Sequence, residues 1–128
     1  MTTKHGDIHW SELVTRDTAG ARAYFESIAG WSVEEVPMGD GQRPYLVCSA
    51  NGHPVAGIME MGGPDLEGMA PAWITYIHVD DVDAACAKTS ELGGKVISEP
   101  FDVPMAGRIA TVVDPTGAMV GLITPNQG

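Results

Sequence analysis

Residues 10–17, Trp-Ser-Glu-Leu-Val-Thr-Arg-Asp, and residues 74–81, Ile-Thr-Tyr-Ile-His-Val-Asp-Asp, occupy equivalent places in two copies of one unit. A shift of 64 residues lays the second half of the chain on the first and matches Asp17 with Asp81, Ala21 with Ala85, Gly30 with Gly94, Gly57 with Gly121 and Ile58 with Leu122. A unit that cannot cover its own apolar face packs against another, so the repeat predicts two similar halves around a shared centre.

Composition limits the classes of partner. The chain has 128 residues, of which 44% are hydrophobic and 19% charged, which suits one domain with a core that needs no disulfide. Its net charge of −10 repels nucleic acid and anionic membranes, so we expect neither as a partner. The sequence has no apolar stretch near the roughly 18 residues of a spanning helix, and residues 1–7 are polar, so we expect neither a spanning helix nor a signal peptide. We therefore expect a cytoplasmic protein in which Cys48 and Cys86 are reduced core residues.

Hydrophobic periodicity and turn residues predict a βαβββ order in the first module. Asp17 or Thr18 begins the helix, Gly30 ends it, and Asn51-Gly52 marks a hairpin. The predicted strands cover residues 8–15, 31–37, 45–50 and 55–61, with a turn over residues 38–42.

The second module repeats that order. Its predicted helix covers residues 81–92 and ends at Gly93-Gly94. Its predicted strands cover residues 73–79, 95–98, 108–113 and 118–124, with a rim loop over residues 98–107. We expect one domain over residues 1–128, made of module one (6–61), a connector (62–72) and module two (73–125).

Three stretches together carry a resemblance to a known superfamily: residues 10–17 leading into Ala23-Tyr24-Phe25 and Gly30-Trp31, residues 79–85 leading into Leu92-Gly93-Gly94, and Asp114-Pro115-Thr116-Gly117. The chain resembles the glyoxalase / bleomycin-resistance / extradiol-dioxygenase group, also called the vicinal-oxygen-chelate superfamily, as a single-domain glyoxalase-like protein. The resemblance implies an α+β fold in which two βαβββ modules, related by a pseudo-twofold axis, form an eight-stranded cup with the helices outside. It also implies that the cup takes a small molecule.

Many members of that group hold a divalent metal through His, Gln or Glu from the first and last strand of each module. The resemblance places those ligands at Trp10, Gly57, Ile74 and Gly121, none of which has a donor side chain. A working divalent site needs at least three protein N or O ligands. We therefore expect no metal at the usual positions and no other cofactor.

Strand alternation selects the candidate catalytic residues. If Leu13 packs toward the first helix, then Glu12 faces the cup, and so do Tyr76 and His78 in the second module. A carboxylate among apolar groups is expected to have a raised pKa and can act as a general base or hold a polar group. Tyr76 is a candidate hydrogen-bonding group, and His78 a candidate partner in proton transfer.

The remaining candidates contact a ligand. Arg108 is a candidate anchor for an anionic group. Bulky apolar side chains of the same parity would line the cup for a flat or hydrophobic ligand, namely Trp10, Val14, Met59, Ile74, Met119 and Ile123.

Several functions stay open on this sequence. The protein is either an enzyme of lyase, isomerase or oxygenase type in which Glu12 moves a proton with Tyr76 or His78, or a module that sequesters an antibiotic. A third alternative is a displaced metal site made of Glu12, His53 and His78 that supports lyase or dioxygenase chemistry. A homodimer is a further expectation, with Trp31 or Trp73 as interface residues.

Overall fold

A computed structural model describes residues 3–39, 41, 43–62, 68–103 and 106–126 of the chain. The order βαβββ occurs twice along it, which confirms the predicted α+β class with two such modules. The elements are β1 (Ile8–Thr15), α1 (Thr18–Ala29), β2 (Ser32–Val36), β3 (Tyr45–Ala50), β4 (His53–Glu60), β5 (Ala72–His78), α2 (Val82–Glu91), β6 (Lys95–Val103), β7 (Gly107–Val113) and β8 (Met119–Pro125).

The predicted helix boundaries and the predicted hairpin are confirmed. The Asp17 side chain accepts a hydrogen bond from Gly20 N, and Gly30 ends α1 with a left-handed φ of 68°. Asn51 and Gly52 both have positive φ, 53° and 83°, as a tight hairpin turn between β3 and β4 requires. Local backbone preferences therefore fix these boundaries.

The chain forms two compact units, one of residues 10–73 and one of residues 74–128 together with residues 1–9. The first unit has the strand order β2-β3-β4-β1, in which β1 and β4 run parallel. Leu13, Leu46, Cys48 and Ile58 are buried together under Ala21, Phe25 and other partly buried residues. Leu13 therefore packs toward α1, which is the condition on which the inward direction of Glu12 depends.

The second unit repeats the plan with the strand order β5-β8-β7-β6, in which β5 and β8 run parallel. Its buried cluster joins two residues of α2 to the sheet and consists of Val82, Cys86, Ala110, Val112 and Leu122. Ile77 packs against this cluster, so Tyr76 and His78 point to the sheet face opposite α2.

The predicted loop over residues 98–107 is wrong for residues 98–103, because β6 continues to Val103, and β7 begins at Gly107. Residues 104 and 105 of that predicted loop lie outside the described residues. Pro100 lies within β6, where the register shifts between Ser98 and Phe101. Proline is tolerated at a bulge or an edge, and β6 is the last strand in the order of its unit. The pairing of β6 with β7 therefore continues on both sides of Pro100, although a proline normally ends a strand.

Some predictions fall outside the described residues. The predicted turn over residues 38–42 includes residues 40 and 42, and the predicted connector over residues 62–72 includes residues 63–67. Within the part of the chain that is described, neither helix is long and apolar enough to cross a membrane.

Candidate functional site

A chain of hydrogen bonds centred on Tyr45 lies in the first unit. The Trp10 indole Nε1–H donates to the Tyr45 hydroxyl oxygen over 2.9 Å, and the Tyr45 hydroxyl donates to Glu12 Oε1 over 2.9 Å. Glu12 is 5% exposed, so its carboxylate is buried, and the Tyr45 hydroxyl is a hydrogen-bond donor to it there. Because Trp10 and Glu12 meet one hydroxyl, they share a face of β1, as the alternation predicts.

Gly57 makes the approach of Tyr45 possible. Gly57 lies directly opposite Glu12 in the parallel pairing of β1 and β4. A Cβ atom added at Gly57 would overlap the hydroxyl end of Tyr45. The missing side chain at this position therefore leaves the room that the phenol occupies.

Sequence reasoning did not select Tyr45 as a functional residue. Leu46 and Cys48 are buried in the cluster under α1, so alternation along β3 directs Tyr45 to the opposite face, which carries Glu12. This signal is available in the sequence, but it applies to every second residue of a strand. It becomes informative only once the pairing of β3 with β4 is known.

Tyr76 occupies the equivalent place in the second unit. It lies opposite Gly121 in the pairing of β5 and β8 and is 4% exposed. A Cβ atom added at Gly121 would come within 2.5 Å of carbons of the Tyr76 ring. Gly57 and Gly121 stand where the superfamily has its metal ligands in the last strand of each module, and each is covered by a tyrosine side chain.

His78 belongs to a group of residues at the end of β5. The Thr3 hydroxyl lies 2.8 Å from His78 Nδ1 and 2.6 Å from His9 Nδ1, and the two imidazole rings meet edge to face. The backbone N–H of His78 donates to the Asp7 carbonyl oxygen. Burial, and then the charge of His78, holds the pKa of His9 below its usual value. His78 therefore fastens the N-terminal residues.

The predicted lining residues are distributed between the two units. Val14, Ile74 and Ile123 are buried. Trp10, Met59 and Met119 are half-buried. On β4, Met59 lies on the same face as Gly57. On β8, Met119 and Ile123 lie on the same face as Gly121. Each unit therefore has an apolar sheet face opposite its helix.

Arg108 forms ion pairs on the helix side of the second unit. Its Nε and Nη2 donate to the two carboxylate oxygens of Asp83 at 2.7 and 3.0 Å, and Nη1 donates to Asp102 at 3.3 Å. The hydrogen bond from Arg108 holds the pKa of Asp83 below its usual range, and the two carboxylates raise the pKa of Arg108. An anionic ligand would have to compete with Asp83 and Asp102 for the Arg108 guanidinium.

An open groove runs between α2 and β6 in the second unit. The residues that line this groove include Asp83, Cys86, Ser90, Lys95 and Glu99. Burial raises the pKa of the Cys86 thiol, which disfavours its reactive thiolate form. No predicted site residue borders the groove.

The residues at the superfamily's four ligand positions do not fit a metal ion. Trp10 and Ile74 supply no metal donor, and tyrosine side chains cover the glycines at positions 57 and 121. Among the described residues, no three His, Cys, Asp or Glu side chains lie close enough to hold a metal, a result that covers Glu12, His53 and His78. His53 itself is exposed at the start of β4.

The two tryptophans proposed for an interface differ in exposure. Trp31 is half-buried and stacks on Phe25 with ring centroids 5.2 Å apart. Trp73 is 44% exposed, and its ring packs edge to face against the rings of Phe25 and Trp31. Trp31 therefore contributes mainly to the core, and Trp73 keeps surface on which a partner can pack.

Comparison with known proteins identifies relatives over nearly the whole chain. A protein of Mycobacterium tuberculosis with the provisional name glyoxylase CFP32 is 40% identical over 124 residues, which cover 97% of this chain and 48% of that protein. The anthracycline biosynthesis protein DauV of a Streptomyces species is 35% identical over 120 residues, which cover 92% and 41%. The chain thus spans about half the length of these curated relatives.

Solved structures share the fold. Methylmalonyl-CoA epimerase from Mycobacterium tuberculosis superimposes with a TM-score of 0.65 at 17% identity, covering 99% of this chain and 94% of the epimerase. The family model described as Glyoxalase/Bleomycin resistance protein/Dioxygenase superfamily matches residues 7–122. The chain therefore belongs to the glyoxalase/bleomycin resistance protein/dioxygenase superfamily.

Proposed function

We propose that the protein binds a small organic molecule on the sheet face that carries Glu12, and that Glu12 exchanges a proton with this molecule. The observation that carries the proposal is a carboxylate, 5% exposed, that accepts a hydrogen bond from Tyr45. Burying a carboxylate costs free energy that hydrogen bonding only partly offsets, so a glutamate in this buried position favours a chemical role.

We propose that this chemistry uses no metal at the superfamily's usual positions. The support is the residue types there, because Trp10 and Ile74 lack metal donors and Tyr45 and Tyr76 lie over Gly57 and Gly121. Glu12 then acts as a general acid or base on a hydroxyl group, or on a carbon next to a carbonyl. A lyase or isomerase reaction fits that role.

The class of ligand that we propose is a hydrophobic or aromatic metabolite. Trp10, Val14 and Met59 give the face around Glu12 an apolar character, and methionine adapts to irregular shapes. A relative at 35% identity is an anthracycline biosynthesis protein, and an anthracycline is a flat, aromatic molecule with carbonyl and hydroxyl groups. Such a molecule would bury apolar area while it presents a proton to Glu12.

A thermal-shift screen tests binding. The panel contains aromatic polyketides, electrophilic aldehydes and acyl-CoA thioesters, and we expect an aromatic compound to raise Tm, since a ligand that binds only the folded state stabilises it. A panel without any shift would argue against the proposal.

A single substitution then separates catalysis from sequestration. Glu12→Gln keeps the shape of the side chain and its ability to accept a hydrogen bond from Tyr45, but it removes the basic carboxylate. We expect ligand affinity to stay within a few-fold of the wild type while turnover of the identified compound is lost. Unchanged turnover would exclude Glu12 as the base, and a ligand that is bound without turnover by both proteins would favour sequestration.

Metal analysis of the purified protein tests the alternative with a displaced metal. We expect less than one transition-metal ion per chain in protein that is purified without a chelator. A stoichiometric metal that disappears in Glu12→Gln would overturn the metal-free proposal.

A further inference from the structure

We infer that Tyr45 is a positioning residue that fixes the Glu12 carboxylate and keeps it ionised. This inference rests on the proposed role of Glu12 as a proton acceptor. Tyr45 itself lies on β3, whereas Glu12 lies on β1, so the contact joins two strands that are not neighbours in the order of the unit.

The direction of the hydrogen bonds follows from the chemistry of the three groups. An indole N–H can only donate, so the Tyr45 oxygen accepts the hydrogen bond from Trp10. The phenol proton is then directed to Glu12 Oε1, 2.9 Å away. An ionised carboxylate accepts this hydrogen bond strongly, whereas a protonated carboxyl group is a weaker acceptor. The network therefore favours the ionised form of Glu12 and opposes the effect of burial.

The second unit shows that this arrangement is specific to the first. The pairing of Leu46 with Ile58 in the first unit is matched by that of Ala110 with Leu122 in the second, so the position equivalent to Tyr45 is Ile109. The position equivalent to Glu12 is Tyr76, as the shift of 64 residues shows. Neither the carboxylate nor its donor is repeated, although the backbone around them is.

The substitution Tyr45→Phe tests the inference directly. It keeps the ring over Gly57 and removes only the hydroxyl group. Without the Tyr45 hydroxyl as a donor, the buried carboxylate should take up a proton more readily, and the pH at the midpoint of Glu12 protonation should rise by about one unit, a tenfold change in proton affinity. Protein labelled with ¹³C at the glutamate carboxyl carbons reports this midpoint by NMR, and the Glu12 resonance is the one missing from Glu12→Gln.

Two further variants complete the experiment. Tyr24→Phe makes the same chemical change at a tyrosine that is 56% exposed, and it should leave the Glu12 midpoint unchanged. Trp10→Phe removes the donor that orients the Tyr45 hydroxyl, and it should raise the midpoint by less than Tyr45→Phe does. The measured Tm of each variant shows that it is folded.

The outcomes separate this inference from the proposed function. A midpoint that stays the same or falls in folded Tyr45→Phe would overturn the role of Tyr45, whatever the ligand is. A raised midpoint in a protein that binds no compound of the panel supports the role of Tyr45 and counts against the proposed function. If a substrate is identified, the acidic limb of its pH–rate profile should move with the NMR midpoint in Tyr45→Phe.

Discussion

The two modules keep the same backbone pairing around different side chains. In the first, Glu12 lies opposite Gly57, and in the second, Tyr76 lies opposite Gly121. Both glycines leave room for a tyrosine ring, but Tyr45 reaches its glycine from β3, whereas Tyr76 lies on β5 directly opposite Gly121. The pairing register is therefore the same in both modules although the side chains differ, and among the described residues a buried carboxylate is found in the first module alone.

The N-terminal residues add a second difference. Thr3 contacts both His9 and His78, and the Asp80 backbone N–H donates to His5 Nδ1 over 2.9 Å. These contacts belong to the second unit. Polar groups thus hold a buried carboxylate in the first unit and the N-terminal residues in the second.

The largest expected effect compares the two equivalent core residues. Ile58 is 0% exposed and Leu122 is 8% exposed. Truncation to alanine should lower the free energy of unfolding by about 2–5 kcal/mol in each case, and by more for Ile58, because its contacts are complete. Urea denaturation measures both variants. A larger loss for Leu122→Ala would show that the second cluster is the better packed.

A smaller effect compares the two glycines. Gly121→Ala would push against Tyr76 ring carbons close to its backbone and should cost about 1–3 kcal/mol. Gly57→Ala would meet the hydroxyl end of Tyr45, which can move aside only by giving up its hydrogen bonds to Trp10 and Glu12, so we expect a measurable cost that is still lower than that of Gly121→Ala. Gly62→Ala, with open space around the added Cβ, is the control and should change stability little.

Denaturant unfolding ranks the three glycine variants. Equal losses for Gly57→Ala and Gly121→Ala would mean that the Tyr45 hydroxyl is held as rigidly as the Tyr76 ring. In that case the hydrogen bonds of Tyr45 to Trp10 and Glu12 keep the hydroxyl from moving aside.

The smallest expected effect is the pH dependence of the N-terminal contacts. Burial and the neighbouring His78 lower the pKa of His9 from its ordinary 6.5, so folding favours the neutral ring. The resulting stabilisation is complete above pH 6.5 and is lost as the pH falls through the lowered folded-state value. Because His9 is only half-buried, the loss should stay below about 1 kcal/mol.

Amide hydrogen exchange at Gly6 and His78 measures this loosening, because both amides donate within the N-terminal contacts. Protection should fall between about pH 7 and about pH 5 in the wild type, and by less in His9→Gln, which does not titrate. Equal acid sensitivity in the two proteins would place the responsible group elsewhere.

Much of the fold could be predicted from local signals. Asp17, Gly30 and Asn51-Gly52 act through their own backbone and nearby amides, so the chain carries that information at short range. The prediction failed at Pro100, because there the pairing of β6 with β7 outweighs local preference. The face of Glu12 followed from alternation, but its partner Tyr45 is 33 residues away and did not.

The sequence alone determined the repeat, the helix caps, the inward faces of β1 and β5 and the absence of donor side chains at four positions, since each of these depends on residue type and spacing. Tertiary structure decided that Tyr45 bridges Trp10 and Glu12 over Gly57, that Tyr76 covers Gly121, and that Thr3 joins His9 to His78. These contacts depend on strand register and on side-chain rotamers across distant segments, and neither is encoded in any local stretch of the chain.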